Sequence, residues 1–277
     1  MKTSLPSPGR RDPPESAAFT LPELLTMIAV LIILAMLILP ALARTQPDSR
    51  AFQCRNNLSQ MYRAWRMYAD DYNDTLLASL PVTGNRVVWV TGGLDFNGGN
   101  ASNWDVTQDL AKSPIQPYLG TNSYMSWKCP TDQSSVAVPG MGVLPRVRSI
   151  SMSSVFDFGG WLPSPPYRVY AKGSDILNPA KTWVFMDEHP DSINDGAFAW
   201  QMAPAGSTTA SIVDFPASYH DGGCNLSFAD GHSEGHKWIG LTIRPPVNYS
   251  AAIPLNVPAG NSLSDIIWLS SVTTVHQ

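Results

Sequence analysis

Charge is scarce in this chain. Asp, Glu, Lys and Arg make up only 14% of its 277 residues, and 18 basic side chains face 22 acidic ones, a formal charge of −4. So few cations leave no electrostatic footprint for a phosphate backbone, which argues against nucleic acid as a partner. Cysteine is limited to three residues, so at least one thiol stays outside any intrachain pair. No repeat of solenoid period appears, and no helical His-Glu-x-x-His spacing is present. No nucleophile elbow is expected either, since Ser227 falls in a strand-like run. Only one segment is apolar enough to span a bilayer, which excludes a polytopic membrane protein. What is abundant is apolar and aromatic: 44% and 10% of residues, with nine Trp. Such a chain buries a substantial core and is not disordered through charge.

The one long apolar segment lies near the N-terminus. Residues 1–18 are polar and Pro-rich and carry Lys2, Arg10 and Arg11; from Phe19 to Ala43 the only ionisable group is Glu23. A helix of that length crosses a hydrocarbon core of about 30 Å. Positive charge ahead of the span predicts a cytoplasmic N-terminus and an exported body. Spacing alone leaves open a signal peptide cut after Ala41-Leu42-Ala43, a plain signal anchor, and an anchor with a functional carboxylate. Glu23 points to the last of these, because a carboxylate in the first turn of a membrane helix is costly without a partner.

The segment FTLPELLTMIAVLIILAMLILPALA (19–43) resembles the N-terminus of type IV prepilins and type II secretion pseudopilins. The resemblance implies a leader peptide over 1–18, removed by prepilin peptidase between Ala18 and Phe19, with N-methylation of Phe19. It implies that Glu23, fifth in the mature chain, engages an amine during assembly with other pilin or pseudopilin subunits at the cytoplasmic membrane. Two residues depart from the pattern: Ala18 stands where the family usually has glycine, and Pro22 where an aliphatic residue is usual. CRNNLSQMYRAWRMYADDYND (54–74) resembles a stretch of one bacterial pseudopilin-like group, whose C-terminal signature is a His, nine residues, then Asp-Gly. His220, Asp230 and Gly231 supply that signature.

Leu58, Met61, Trp65, Tyr68 and Tyr72 step by three and four, lining one face of a helix that is expected to end around Asn73. Beyond it, runs at 87–90, 123–129, 148–156 and 181–188 are rich in β-branched and aromatic residues and read as strands. The fold class expected is α+β and pilin-like. A long N-terminal helix, half membrane-spanning (19–43) and half amphipathic, packs on an antiparallel sheet with long loops, and 44–277 forms one extracytoplasmic domain.

Asp230-Gly231 between two strand-like runs predicts a hairpin turn, one that sets His220 beside Asp230. His220, Asp230, His232 and His236 include ligand types for a hydrolytic zinc centre, though not at a metalloprotease spacing. Asp187, Asp191 and Asp195 in MDEHPDSINDG offer hard oxygens for a structural Ca²⁺. If the body is exported, Cys54 and Cys129 form the expected disulfide, with Cys224 a buried thiol; three free thiols are the other reading. The leading functional expectation is a non-enzymatic, pilin-like filament subunit. The alternative is an anchored hydrolase or carbohydrate-binding protein, with Trp89, Trp104, Trp127, Trp161, Trp183 and Trp200 as a stacking platform.

Overall fold

The structure is a computed structural model that describes residues 20–81, 86–120, 124–157, 162 and 167–276, without side chains at 35 and 37–49. Ala18 and Phe19 therefore lie outside the described residues, as does Trp161. The chain divides into two compact units, Met1–Gln46 and Pro47–Gln277, and the boundary falls inside helix α1 (Leu21–Asp71).

In the second unit α1 packs through Cys54, Leu58, Met61, Trp65 and Tyr68, all buried. The expected fifth member, Tyr72, is 53% exposed and stacks on Tyr68 with ring centroids 4.3 Å apart. Just beyond Asp71 the backbone turns left-handed at Asn73 (φ 55°) and Asp74 (φ 62°), a conformation Asn and Asp tolerate better than most residues, and the helix stops.

The strands are β1 (Ser135–Val138), β2 (Gly142–Pro145), β3 (Ile150–Ser153), β4 (Trp183–Asp187), β5 (Ala197–Phe198), β6 (Ser211–Ile212), β7 (Gly223–Phe228), β8 (Ser233–Lys237) and β9 (Val257–Pro258). The central sheet has the order β5-β3-β4-β7-β8. Its β3–β5 pair is parallel and its other pairs are antiparallel. Hairpin β1–β2 and the pair β6–β9 lie outside it. Every residue of β3, β4 and β7 is buried, so these strands are covered on both faces. A short helix α2 (Gln116–Leu119) precedes the sheet, and α3 (Leu263–Ser271) follows it. The segment around α3 is tied to the core by indole donors: Trp200 to Ser270 Oγ (3.2 Å) and Trp183 to Thr273 Oγ1 (2.9 Å).

These observations overturn the expected fold class. The sheet is mixed rather than antiparallel, and no pilin-like long N-terminal helix lies on it. The part of α1 that belongs with the sheet begins at Pro47. Two of the expected strands are also absent. Residues 124–127 form a 3₁₀ turn, and near 87–90 the only ladder contact is an isolated bridge from Val88 to Ala78.

Truncation separates the helix faces. Trp65→Ala removes a fully buried indole that meets Phe156 edge-on at 5.3 Å, and should cost about 3–5 kcal/mol in denaturant unfolding. Tyr72→Ala should cost no more than about 1 kcal/mol.

Candidate functional site

Four side chains from four separate segments converge below the surface. Asp187 ends β4, and its Oδ1 accepts a hydrogen bond from the Asn225 backbone N–H of β7 at 2.6 Å. That leaves Oδ2 to face Cys54 Sγ of α1 at 3.7 Å and His220 Nε2 at 3.1 Å. His220 Nε2 also lies 3.4 Å from Cys129 Sγ. All four ligand atoms fall within 4.8 Å of one another, the one such His/Cys/Asp/Glu group among the described residues.

Local structure explains each placement. His220 is held by a tight turn, in which His220 N–H bonds Gly223 O and Gly223 N–H bonds His220 O, both at 3.2 Å. The two central residues, Asp221 (φ 54°) and Gly222 (φ 81°), are left-handed, the mark of a type I′ turn feeding a strand. Cys129 follows the 3₁₀ turn, and its N–H donates to Ser149 Oγ at 2.7 Å, just ahead of β3. Cys54 sits on the buried face of α1. Eight residues on, Tyr62 Oη donates to Ala229 O (2.9 Å), so the helix runs alongside β7.

The cluster is strongly polarised. Burial alone would lower the His220 imidazole, but its hydrogen bonds to Asp187 and Cys129 outweigh this and raise it to about 10. Burial would raise the Cys129 thiol, yet hydrogen bonds from Cys54 and His220 bring it down to about 7. Cys54 moves the other way, pushed well up by burial and then by Cys129 and Asp187. This is not a nucleophile–base–carboxylate relay. In such a relay the imidazole meets nucleophile and carboxylate through different ring nitrogens, whereas here Nε2 faces both.

The expected sites are redistributed. Cys54 and Cys129 are brought together, but as free thiols rather than a disulfide, and Cys224 is a third buried free thiol. His220 is not beside Asp230. Asp230 and Gly231 do turn β7 into β8, with Asp230 Oδ1 accepting from His232 N–H at 3.1 Å and meeting His232 Nδ1 at 2.5 Å. Gly231 has φ 98°, and a Cβ there would lie 3.0 Å from the Tyr62 ring. His236 stacks on Trp268, where burial lowers it to about 4; the hydrolytic set of His220, Asp230, His232 and His236 is thus split three ways. The letters Gly-x-Ser-x-Gly do occur, at 231–235, contrary to expectation. Ser233 there opens β8 of an antiparallel hairpin instead of a strand-to-helix elbow.

The three calcium candidates are likewise spent on different partners. Asp187 joins the cluster, Asp191 accepts from Asn248 and Tyr249 N–H (2.7 and 3.0 Å), and Asp195 accepts from Ala197 N–H (2.8 Å). Two buried guanidiniums stitch this loop instead. Arg146 donates to Pro190 O (2.7 Å) and Ile193 O (3.3 Å), and Arg148 to Asp195 O (2.7 Å). Of the platform tryptophans, Trp89, Trp127, Trp183 and Trp200 are core residues, and Trp104 is half-buried with its indole N–H on Gly98 O. At the other end of the chain, Glu23 Oε2 accepts from Thr20 N–H (2.8 Å) and Thr20 Oγ1 (2.7 Å), a local cap on the first turn of α1. Among the described residues no helix is long and apolar enough to cross a membrane. No family model, curated protein or solved structure matches this chain.

A second buried acidic pair sets a pH dependence. Burial raises Asp214 to about 7, and burial together with the Asp214 charge raises Glu188 well above the carboxylate range. Between about pH 4 and pH 7 the unfolded chain has released the Asp214 proton and the folded chain has not, so stability falls as pH rises, by at most about 1.4 kcal/mol per pH unit for this group. Asp214→Asn should therefore gain on wild type by about 1–3 kcal/mol between pH 4.5 and pH 7 in denaturant titrations. A pH-independent difference would mean that the carboxyl is already ionised in the fold.

Proposed function

We propose that this chain is a non-enzymatic structural subunit of a type II secretion pseudopilus or a related type IV filament, assembled through its N-terminal helix. In this reading prepilin peptidase cuts between Ala18 and Phe19 and the new Phe19 amine is methylated. The apolar helix then holds the subunit in the cytoplasmic membrane, N-terminus inside and body exported, until it joins neighbouring subunits. The reading concerns assembly through the helix and makes no use of a pilin-like sheet.

The observation that carries it is the surface of the first turns of α1. Leu21, Leu24, Leu25, Met27, Ile28, Val30, Leu31, Ile32, Ile33, Leu34 and Met36 are each between 46% and 73% exposed. A helix that is apolar all round is stable only where lipid or other helices cover it. Glu23 supports the same reading. Its Thr20 donors are neutral, and an α-ammonium from a neighbour would supply the opposite full charge that they lack.

Co-expression with a prepilin peptidase tests this. The expected product is shorter by 18 residues, with an N-terminal methylated Phe in the mass spectrum, and it cross-links into oligomers that Glu23→Ala reduces. A mature polypeptide that begins beyond Ala43 and is freely soluble would overturn the reading.

A further inference from the structure

We propose that Cys54, Cys129, Asp187 and His220 form a closed four-ligand zinc site that fastens α1 and the segment after α2 to the central sheet. The proposal is independent of how the N-terminus is processed.

Donor chemistry is the first support. Two thiolates, an imidazole nitrogen and a carboxylate oxygen are the ligand types that zinc takes, whereas calcium and magnesium require oxygen shells. Distance is the second. Bonds of about 2.3 Å to sulfur and about 2.0–2.1 Å to nitrogen or oxygen, at tetrahedral angles, hold ligand atoms about 3.3–3.8 Å apart. The separations present are 3.7 Å for Cys54–Asp187, 3.4 Å for Cys129–His220 and 3.1 Å for His220–Asp187. These three lie close to the tetrahedral values and the remaining pairs fall within 4.8 Å, so an ion seats with a modest contraction of the cluster.

Orientation is the third. The ligands are braced by groups that do not themselves coordinate: Asn225 N–H on the free oxygen of Asp187, Ser149 Oγ on Cys129 N–H, and Thr131 N–H directed at Cys129 Sγ (3.5 Å). Cys129 also lines a surface cleft of about 400 Å³, which gives an ion a way in. With four protein ligands no coordination position is left for water or substrate, so the site is structural and not hydrolytic. Cys54 and Asp187 alone are 133 residues apart in sequence, and His220 lies further on still, so the ion cross-links segments that are distant along the chain.

Zinc and a Cys54–Cys129 disulfide exclude each other, because the disulfide consumes both sulfur ligands. The full chain, purified in detergent without reductant from zinc-containing medium, distinguishes them. Elemental analysis should find one zinc per chain, and cobalt exchange should give the intense thiolate charge-transfer and visible bands of a tetrahedral site. Chelation should lower the unfolding midpoint by on the order of 10 °C, restored by zinc and not by calcium. Cys54→Ser and His220→Ala should lose the metal. Cys224→Ser, which removes the buried cysteine outside the cluster, should keep it. Should a variant fail to fold, the chelation and cobalt results on the wild-type chain decide. Substoichiometric zinc with a midpoint indifferent to chelator, or a Cys54–Cys129 disulfide in unreduced peptide maps, would overturn the proposal.

Discussion

The carboxylate of Asp187 is the constraint around which the sheet-bearing unit is arranged. It ends a strand buried on both faces, where an ionised and unpaired carboxylate would cost several kcal/mol. The structure divides its two oxygens between jobs. One accepts the Asn225 N–H, locking the register between β4 and β7; the other gathers His220 and Cys54. The same carboxylate thereby connects the sheet, the turn ahead of β7 and the helix.

The loop after β4 follows the same logic with the opposite sign. Its acidic residues sit against Arg146 and Arg148, both fully buried, whose guanidiniums are given over to backbone carbonyls of the loop. Burial lowers Arg148 to about 10, which leaves it charged at any physiological pH. A planar, always-charged fork that bonds carbonyls ties this acidic loop to the body. The density of Asp and Glu in 186–196 reads as calcium chemistry only while those two arginines, some 40 residues upstream, are out of view.

What could be read from the sequence is what local pattern determines. The buried face of α1 follows from its three-and-four spacing, β4 from its aromatic and β-branched run, and the β7–β8 turn from Asp230-Gly231. The errors arise where tertiary partners decide. SYMSWKC has strand composition, yet the Trp127 indole bonds Gln116 and stacks on Trp89 at 5.3 Å, which favours a compact turn over a ladder. The parallel β3–β5 pair joins strands that each look antiparallel in isolation. The candidate site was present in pieces, since Cys54 and Cys129 read as a disulfide, Asp187 as a calcium ligand and His220 as part of a signature. Nothing in their spacing links the three. The dipeptide Asp221-Gly222 was the available clue, because a type I′ turn there commits His220 to the head of β7 rather than to the Asp230 turn at its far end.

That relocation changes what the His-x9-Asp-Gly pattern means physically. The intervening residues are a turn and a strand: Asp221-Gly222 opens β7, its six residues cross the sheet, Ala229 follows, and Asp230-Gly231 then turns the chain into β8. The His and the Asp-Gly therefore stand at opposite ends of one strand, held apart by its length rather than drawn together. At one end, Gly231 passes close beneath the Tyr62 ring; at the other, His220 meets Asp187 and Cys129 through its Nε2. Since Tyr62 and Cys54 lie two turns apart on the same helix, the signature works as a ruler. It matches the pitch of α1 to the length of β7, and so fixes how the part of α1 within the second unit is seated on the sheet.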